Sequence, residues 1–360
     1  MADAALAARI KAALASVEIP GGADLAGYGG LSDIIVTSGA VAFAISVAPG
    51  MEAAFGPARA AAQEAAEAVS EGRKVMVSLT STRDTPPAAG QGAAPRKPGP
   101  APREPVAGVR NIVAVGSGKG GVGKSTVAVN LALAFAAEGL RVGILDADLY
   151  GPSVPRLLGL DGKTAVRNDG VFEPHEAYGL KVMSIGPMLS SNQAVVWRGP
   201  MATSALRQLL RESDWGELDV LVVDLPPGTG DIQISLVQQV PLAGAVIVST
   251  PQDLALIDAK KAIDMLRRTN VPLFGLVENM SYFIAPDTGA RYDIFGHGGA
   301  RAAAEPMGLP FLGEIPLVMR IRETSDAGAP VTATDPAGAE AGAFRAIAQR
   351  ILIAHPTLRR

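Results

Sequence analysis

Cysteine is absent from all 360 residues, so neither a disulfide nor a metal held by the chain's own thiolates is available. Histidine is scarce: His175, His297 and His355 are the only three. Apolar runs such as Val220 to Val223 and Gly244 to Ser249 have buried-strand length, and none approaches a bilayer span. Met1-Ala2-Asp3-Ala4 carries no basic region leading into an apolar stretch, so no secretory signal is read. Positive charge is not in excess either. With 32 Lys and Arg against 35 Asp and Glu, the net charge is −3, and no global field draws the chain to DNA or anionic lipid. These absences predict a cytoplasmic protein without a nucleic-acid or membrane partner.

What is present falls into three textures. Residues 1–82 alternate as α-β-β-α-β. Ala4 to Leu14 has helical spacing (Leu6, Ile10, Leu14), Leu31–Val36 and Val41–Val47 read as strands joined through Thr37-Ser38-Gly39-Ala40, Ala53–Val69 as a helix and Val75–Leu79 as a strand. That suffices for one small α+β domain. Residues 83–109 are rich in Pro and Ala, with Pro86, Pro87, Pro95, Pro98, Pro100, Pro102 and Pro105, and read as a semi-extended linker. From Arg110 to the end at 360, short Val/Ile/Leu runs alternate with helical segments. Strands are predicted at Ile112–Val115, Val142–Leu145, Lys181–Ile185, Val220–Val223, Ala245–Ser249, Leu273–Val277 and Phe311–Gly313. Helices are predicted at Lys124–Ala137, Met201–Arg211, Ile232–Gln238, Leu254–Arg268 and Ala341–Ile353. The pattern predicts an α/β domain with a doubly wound, mostly parallel sheet and a ligand at the carboxyl ends of its strands.

Gly118-Lys119-Gly120-Gly121-Val122-Gly123-Lys124-Ser125-Thr126 lies between the first such strand and helix and satisfies G-x-x-x-x-G-K-[ST]. Its glycines let backbone amides turn inward where a side chain would block a polyphosphate. The following helix offers unpaired amides and its positive end to the same anion. Lys124 supplies a point charge for the outer phosphates and Ser125 a hydroxyl for Mg²⁺. Asp146 and Asp148 follow the second strand on one side of an extended segment; one can hold a Mg²⁺-bound water and the other orient an attacking water. Alone, the pair reads equally as solvated loop acids. Asp224 ends an apolar strand, the Walker B pattern, and contributes through the metal's shell. Gly228 and Gly230 follow in a proline-stiffened turn where amides can approach a γ-phosphate, and Asp231 reads as a helix N-cap. Lys119 is superfluous to its own loop and can project towards another subunit.

In combination these segments, with Asp146-Ala147-Asp148-Leu149-Tyr150-Gly151-Pro152-Ser153, Trp197-Arg198-Gly199-Pro200-Met201, Asp224 to Asp231, Glu278 to Phe283 and Ile294 to Gly299, resemble the Mrp/ApbC group of P-loop ATPases. That group lies within the MinD/ParA-like class with a deviant Walker A loop, and the resemblance runs from Arg110 to about Ile353. The front domain more loosely resembles the small iron–sulfur-assembly-associated domain that precedes such ATPases. The resemblance implies a homodimer sandwiching ATP, in which Lys119 contacts the neighbour's phosphates. Asp148 would orient the lytic water, Ser125 would bind Mg²⁺ directly, and Asp146 and Asp224 would serve its shell. Asn279 would read adenine, with Pro251 and Gln252 nearby.

One part of the family pattern is missing. The group is thought to hold an iron–sulfur cluster between subunits through C-P-x-C, but here Ala285-Pro286-Asp287-Thr288 stands in its place. Ala48-Pro49-Gly50-Met51 likewise occupies a front-domain loop where relatives carry cysteine. Clusters need cysteine sulfur, with occasional histidine. His297 reads as a loop residue, and Asp287, Asp293 and His297 match no named metal spacing. Trp197 and Met201 read as packing, and Phe344, Ile347 and Ile351 as a docked helix face. The leading expectation is an ATP-hydrolysing cluster carrier or assembly factor, with a client apoprotein or assembly protein as partner. The alternatives are an ATP-gated dimerisation switch that binds a protein and, more weakly, a metabolic kinase.

Overall fold

The computed structural model describes residues 2–36, 40–48, 50–81, 104–149, 151–161, 164–167, 169–184 and 199–359. Thr37 to Gly39, Pro49, Tyr150, Ile185, Trp197, Arg198 and linker positions 83–103, all used above, lie outside them. The chain forms two compact units, Met1–Lys97 and Pro98–Arg360.

In the first unit, helix α1 (Ala2–Ala13) precedes strands β1 (Ile35–Val36) and β2 (Ala40–Val47), helix α2 (Glu52–Glu67) and strand β3 (Lys74–Ser81). The sheet runs β1-β2-β3, with β1 antiparallel and β3 parallel to β2. Leu6, Ile10 and Leu14, four apart and so on one face, are buried against Phe43, Ile45, Phe55 and Ala62. The strand expected over 31–36 shrinks to Ile35–Val36. Ahead of it the chain is wound into turns, with the Tyr28 amide on the Leu25 carbonyl and the Leu31 amide on that of Tyr28. Of the expected strand only the Leu31 amide is spent in a turn: Leu31 still bridges Ile45 and the Ser32 amide donates to the Ala44 carbonyl at 2.9 Å, but the Ser32 hydroxyl takes the Ala44 amide at 2.8 Å and interrupts the ladder.

In the second unit the strands are β4 (Val109–Ser117), β5 (Val142–Asp146), β6 (Ala165–Val166), β7 (Phe172–Glu173), β8 (His175–Ala177), β9 (Leu180–Ser184), β10 (Leu218–Asp224), β11 (Leu242–Ser249), β12 (Leu273–Glu278), β13 (Phe283–Ile284), β14 (Arg291–Tyr292) and β15 (Phe311–Glu314). Helices α3 (Lys124–Ala137), α4 (Val154–Leu157), α5 (Gly199–Arg211), α6 (Asp231–Gln239), α7 (Asp253–Arg268), α8 (Gly299–Ala304), α9 (Met319–Asp326), α10 (Val331–Thr334) and α11 (Ala339–Ala354) lie between and after them. Eight strands form one sheet in the order β15-β12-β11-β4-β10-β5-β9-β8. All neighbours are parallel except β8, which pairs antiparallel with β9 at the edge.

Alternation along the strands builds two cores. Val113, Val115, Val220, Val222, Val246 and Val248 face α3 and α11, where Val127, Leu131, Phe135, Phe344, Ile347 and Ile351 are buried. Ile112, Ala114, Leu221, Val223, Ala245 and Ile247 face the other way, against Leu206, Leu210, Leu236, Ile263 and Leu266. The strands exceed their apolar centres because ladder bonds are made by backbone, so polar flanks such as Arg110, Asn111 and Asp219 pair as well. The edge strand β8 has no apolar run to mark it. The tether also ends earlier than expected: Val106 is buried with the second core and the Gly108 carbonyl accepts the Leu218 amide at 2.7 Å.

Consecutive strands depart in opposite directions around β4. From β4 the chain passes over β10 to reach β5, whereas β11 lies on the opposite side of β4. The carboxyl ends of β4, β10 and β11 thus frame a topological switch point, where open α/β sheets take their ligands.

Candidate functional site

The loop from Gly118 to Gly123 leaves β4 at that point. An added Cβ at Gly118 would lie 2.0 Å from the Asp258 carbonyl carbon, so the loop is seated directly on α7. Gly121 and Gly123 have φ of 81° and 79°, left-handed values that suit glycine. No side chain caps α3, whose cap position is Gly123, so its first amides are left for an incoming acceptor. The Thr126 carbonyl accepts from Asn130 within that helix at 2.9 Å.

Lys124 is buried, and its Nζ donates to Asp224 Oδ1 at 2.6 Å and lies 3.2 Å from Ser125 Oγ. Asp224 is fully buried and its Oδ2 has no partner among the described residues. Burial pushes this carboxyl up from its ordinary value, opposed by Lys124 and Ser125. Sheet register sets Asp224 beside Asp146 on β5. Asp146 accepts the amides of Asp148 (3.1 Å) and Val154 (3.1 Å) and the Ser184 hydroxyl (3.2 Å). Burial first, and then the neighbouring Asp224 charge, pushes Asp146 up to about 7. Two adjacent buried carboxylates and one buried ammonium leave excess negative charge, and Asp224 offers a bare oxygen. With the Ser125 hydroxyl this is an all-oxygen donor set that fits Mg²⁺.

Asp148 is half-buried and among the described residues accepts a long bond, 3.3 Å, from the Gly151 amide. Lys119 sits half-buried at the loop's crown, and its ammonium has no hydrogen bond or ion pair among the described residues. The Gly228 amide, read as a phosphate donor, here donates to the Ser117 carbonyl at 3.1 Å. Helix α6 begins with Asp231 itself and its cap position is Gly230, so the N-cap expected at Asp231 falls one residue earlier.

The three residues expected near the base divide. Pro251 is buried, and its carbonyl is 2.4 Å from where a Cβ on Gly299 would be. Gln252 is exposed at the cap position of α7, its Oε1 accepting from Thr250 at 3.3 Å. Asn279 turns to the phosphate loop, donating from Nδ2 to the Val122 carbonyl at 2.9 Å. Sequence reading missed Ser184, which holds Asp146, and Glu278, a fully buried acid ending β12. Glu278 carries the same signal as Asp224, a carboxylate closing an apolar strand.

The segment that stands where the family has cysteines forms the turn of the β13–β14 hairpin. Ala285 is buried, its amide donates to the Ala290 carbonyl at 2.9 Å, and its carbonyl accepts the Gly289 amide at 2.8 Å. Thr288 Oγ1 accepts the Ala290 amide at 3.3 Å. The hairpin is pinned by Arg291, which stacks over Tyr282, bonds Asp293 at 3.1 Å and lies 2.8 Å from His297 Nδ1. No group of three or more His, Cys, Asp or Glu side chains is arranged for a metal among the described residues. A methyl and an engaged hydroxyl do not fit an iron–sulfur cluster. No described helix is long and apolar enough to cross a membrane.

Residues 108–352 match the family model described as NUBPL iron-transfer P-loop NTPase, and residues 7–79 match the iron–sulfur cluster assembly protein model. An iron-sulfur cluster carrier protein from Deinococcus radiodurans is 56% identical over 245 residues, covering 68% of this chain and 69% of the relative. The iron-sulfur cluster transfer protein NUBPL of Dictyostelium discoideum is 49% identical, covering 69% and 77%. Among solved structures, a nucleotide-binding protein in complex with ADP from Archaeoglobus fulgidus is 41% identical with a TM-score of 0.57, covering 66% of this chain and 92% of that one. The cell division ATPase MinD of Pyrococcus furiosus shares the fold at 23% identity and a TM-score of 0.52, covering 68% and 99%.

Proposed function

The chain belongs to the family of iron-transfer P-loop NTPases, and from that premise we propose that it binds ATP with Mg²⁺ and hydrolyses it as a homodimer in the service of iron–sulfur cluster delivery. The observation that carries this reading is the buried Lys124–Asp224 pair with its bare Asp224 Oδ2, set at the mouth of the phosphate loop. Amides of Gly118 to Thr126 would cradle the phosphates, with Lys124 at the outer ones. Ser125 would hold Mg²⁺ directly, and Asp146 and Asp224 through water. When bound, Mg²⁺ neutralises charge on the phosphate oxygens. Asp148 would orient water for in-line attack, and the Lys119 ammonium, without a partner among the described residues, would reach the other subunit's triphosphate. Gly228 would exchange its bond to Ser117 for the γ-phosphate, which makes its loop responsive to nucleotide. Pro251, Gln252 and Asn279 line the side expected to face adenine. Measured phosphate release with and without Mg²⁺ tests this. Activity should vanish in Lys124→Ala and Asp148→Ala and rise more than linearly with protein concentration; Mg²⁺-independent or absent turnover would sink it.

The cluster is cargo on this reading, and its sulfur ligands come from a client apoprotein, an assembly protein or a small thiol, with the chain as an ATP-driven scaffold. Anaerobic reconstitution with iron and sulfide should leave the isolated chain without a cluster. The hairpin at Ala285, whose amide and carbonyl are both engaged within its own turn, also favours a second reading: an ATP-gated switch whose paired form binds a protein partner and carries nothing. Nucleotide-dependent capture of a partner unrelated to cluster enzymes separates this reading from the first.

A further inference from the structure

We propose that Asn279 is a positioning residue for the phosphate loop: by holding the Val122 carbonyl it turns the Gly123 amide towards the bound phosphates. The inference rests on the nucleotide-binding reading and departs from the adenine-reading role that family resemblance implies. In a trans peptide the carbonyl and the amide point in opposite directions. Whatever fixes the carbonyl of residue 122 therefore aims the N–H of residue 123. Asn279 Nδ2 donates to that carbonyl at 2.9 Å, and both Val122 and Asn279 are buried.

Gly123 is shaped to this contact. Its φ of 79° is left-handed, and an added Cβ would lie 2.2 Å from Asn279 Nδ2. The glycine thus serves the approach of Asn279 as well as the approach of an anion. Asn279 is itself anchored. Its amide donates to the Ser249 carbonyl at 2.8 Å, joining the ends of β11 and β12. The preceding Glu278, fully buried, accepts from the Ser281 hydroxyl at 2.6 Å, the Gly298 amide at 3.3 Å and the Ala300 amide at 2.6 Å. Between these anchors Met280 adopts φ 55°, a conformation that a non-glycine residue holds only when its surroundings enforce it. A rigid frame at the end of β12 therefore presents one carboxamide to one peptide of the loop.

The test uses the full-length chain and two variants, Asn279→Ala and Glu278→Gln, each checked by thermal melting. Calorimetric titration with ATP and with inorganic tripolyphosphate, which has no base, reads the affinity of each. Both affinities should fall by the same factor in Asn279→Ala, about 5- to 10-fold for one lost hydrogen bond, and in the same ratio but less in Glu278→Gln. In the nucleotide-free protein the amides of Val122 to Ser125 should exchange hydrogen faster in both variants. Loss confined to ATP with tripolyphosphate unchanged, or unaltered exchange, would overturn the inference. Should Asn279→Ala fail to fold, Glu278→Gln decides by the same two readouts. Failure of the wild type to bind ATP would defeat the functional reading instead, and the exchange experiment, needing no ligand, still decides this one.

Discussion

Replacing Lys124 by alanine removes, among the described residues, the one cation bonded to Asp224, a carboxylate with no solvent exposure. Breaking a buried pair from one side typically costs about 3–5 kcal/mol because the remaining charge stays buried. Proton uptake limits that penalty. Protonating a carboxyl of ordinary pKa at pH 7 costs about 4 kcal/mol, so the loss at neutral pH should be about 3–4 kcal/mol. For a unit of this size that is a fall in melting temperature of about 10 °C. The sign with pH follows. Asp224 in the variant titrates well above its unfolded value, so it binds a proton in the folded state that the unfolded chain releases. The penalty should therefore be small near pH 4 and grow by about 1.4 kcal/mol per unit as pH rises. Calorimetric melts of nucleotide-free protein at several pH values test this, with Asp224→Asn introduced into the Lys124→Ala background as the partner variant. The double variant should recover most of the loss and lose the pH slope. A Lys124→Ala protein as stable as the wild type at pH 8, or a double variant less stable than the single, would refute the reasoning.

Asp146, pushed up to about 7 by burial and by Asp224, binds a proton in the folded state that the unfolded chain has released, so its contribution to stability declines between about pH 4 and 7. Asp146→Asn should flatten that decline in denaturant unfolding at pH 5.5 and 8.5 while abolishing Mg²⁺-dependent turnover; an unchanged slope would contradict the assignment. Asp219 is held down to about 2, first by its hydrogen bond from Arg141. Its stabilisation is thus present above the ordinary carboxylate range and lost as pH falls towards about 2, and carboxyl titration by NMR should show the low midpoint disappear in Arg141→Ala. The double variant Ala285→Cys with Thr288→Cys restores the family's thiol positions. Reconstituted anaerobically with iron and sulfide, it should gain visible absorbance that the parent lacks; equal absorbance from both would show that cysteine is dispensable here.

Much of the site was legible because its residues are local in sequence. The P-loop is one unbroken segment, and Asp146 and Asp224 each close an apolar run, so strand ends could be read without knowing strand order. Their adjacency could not, since it depends on β10 lying between β4 and β5. Asn279 was assigned by resemblance, and only the fold places its carboxamide on a carbonyl 157 residues away. Glu278 was overlooked although it closes an apolar strand as Asp224 does, whereas Ser184 declares itself only through Asp146, which is distant in sequence. Edge strand β8 and the two-residue ribbons carry too few apolar side chains to be seen. The strand expected from Leu31 is shortened because the Ser32 hydroxyl takes the Ala44 amide that a ladder would use.

The central claim is that each subunit completes the other's site with Lys119, and mixing two inactive variants tests it directly. Lys119→Ala retains its own phosphate loop, and Lys124→Ala retains the lysine it would lend. Random pairing of equal amounts makes half the dimers mixed, each with one complete site, so about a quarter of wild-type ATPase activity should return on mixing. A Lys119→Ala protein that is fully active alone, or a mixture that regains nothing, would contradict the account.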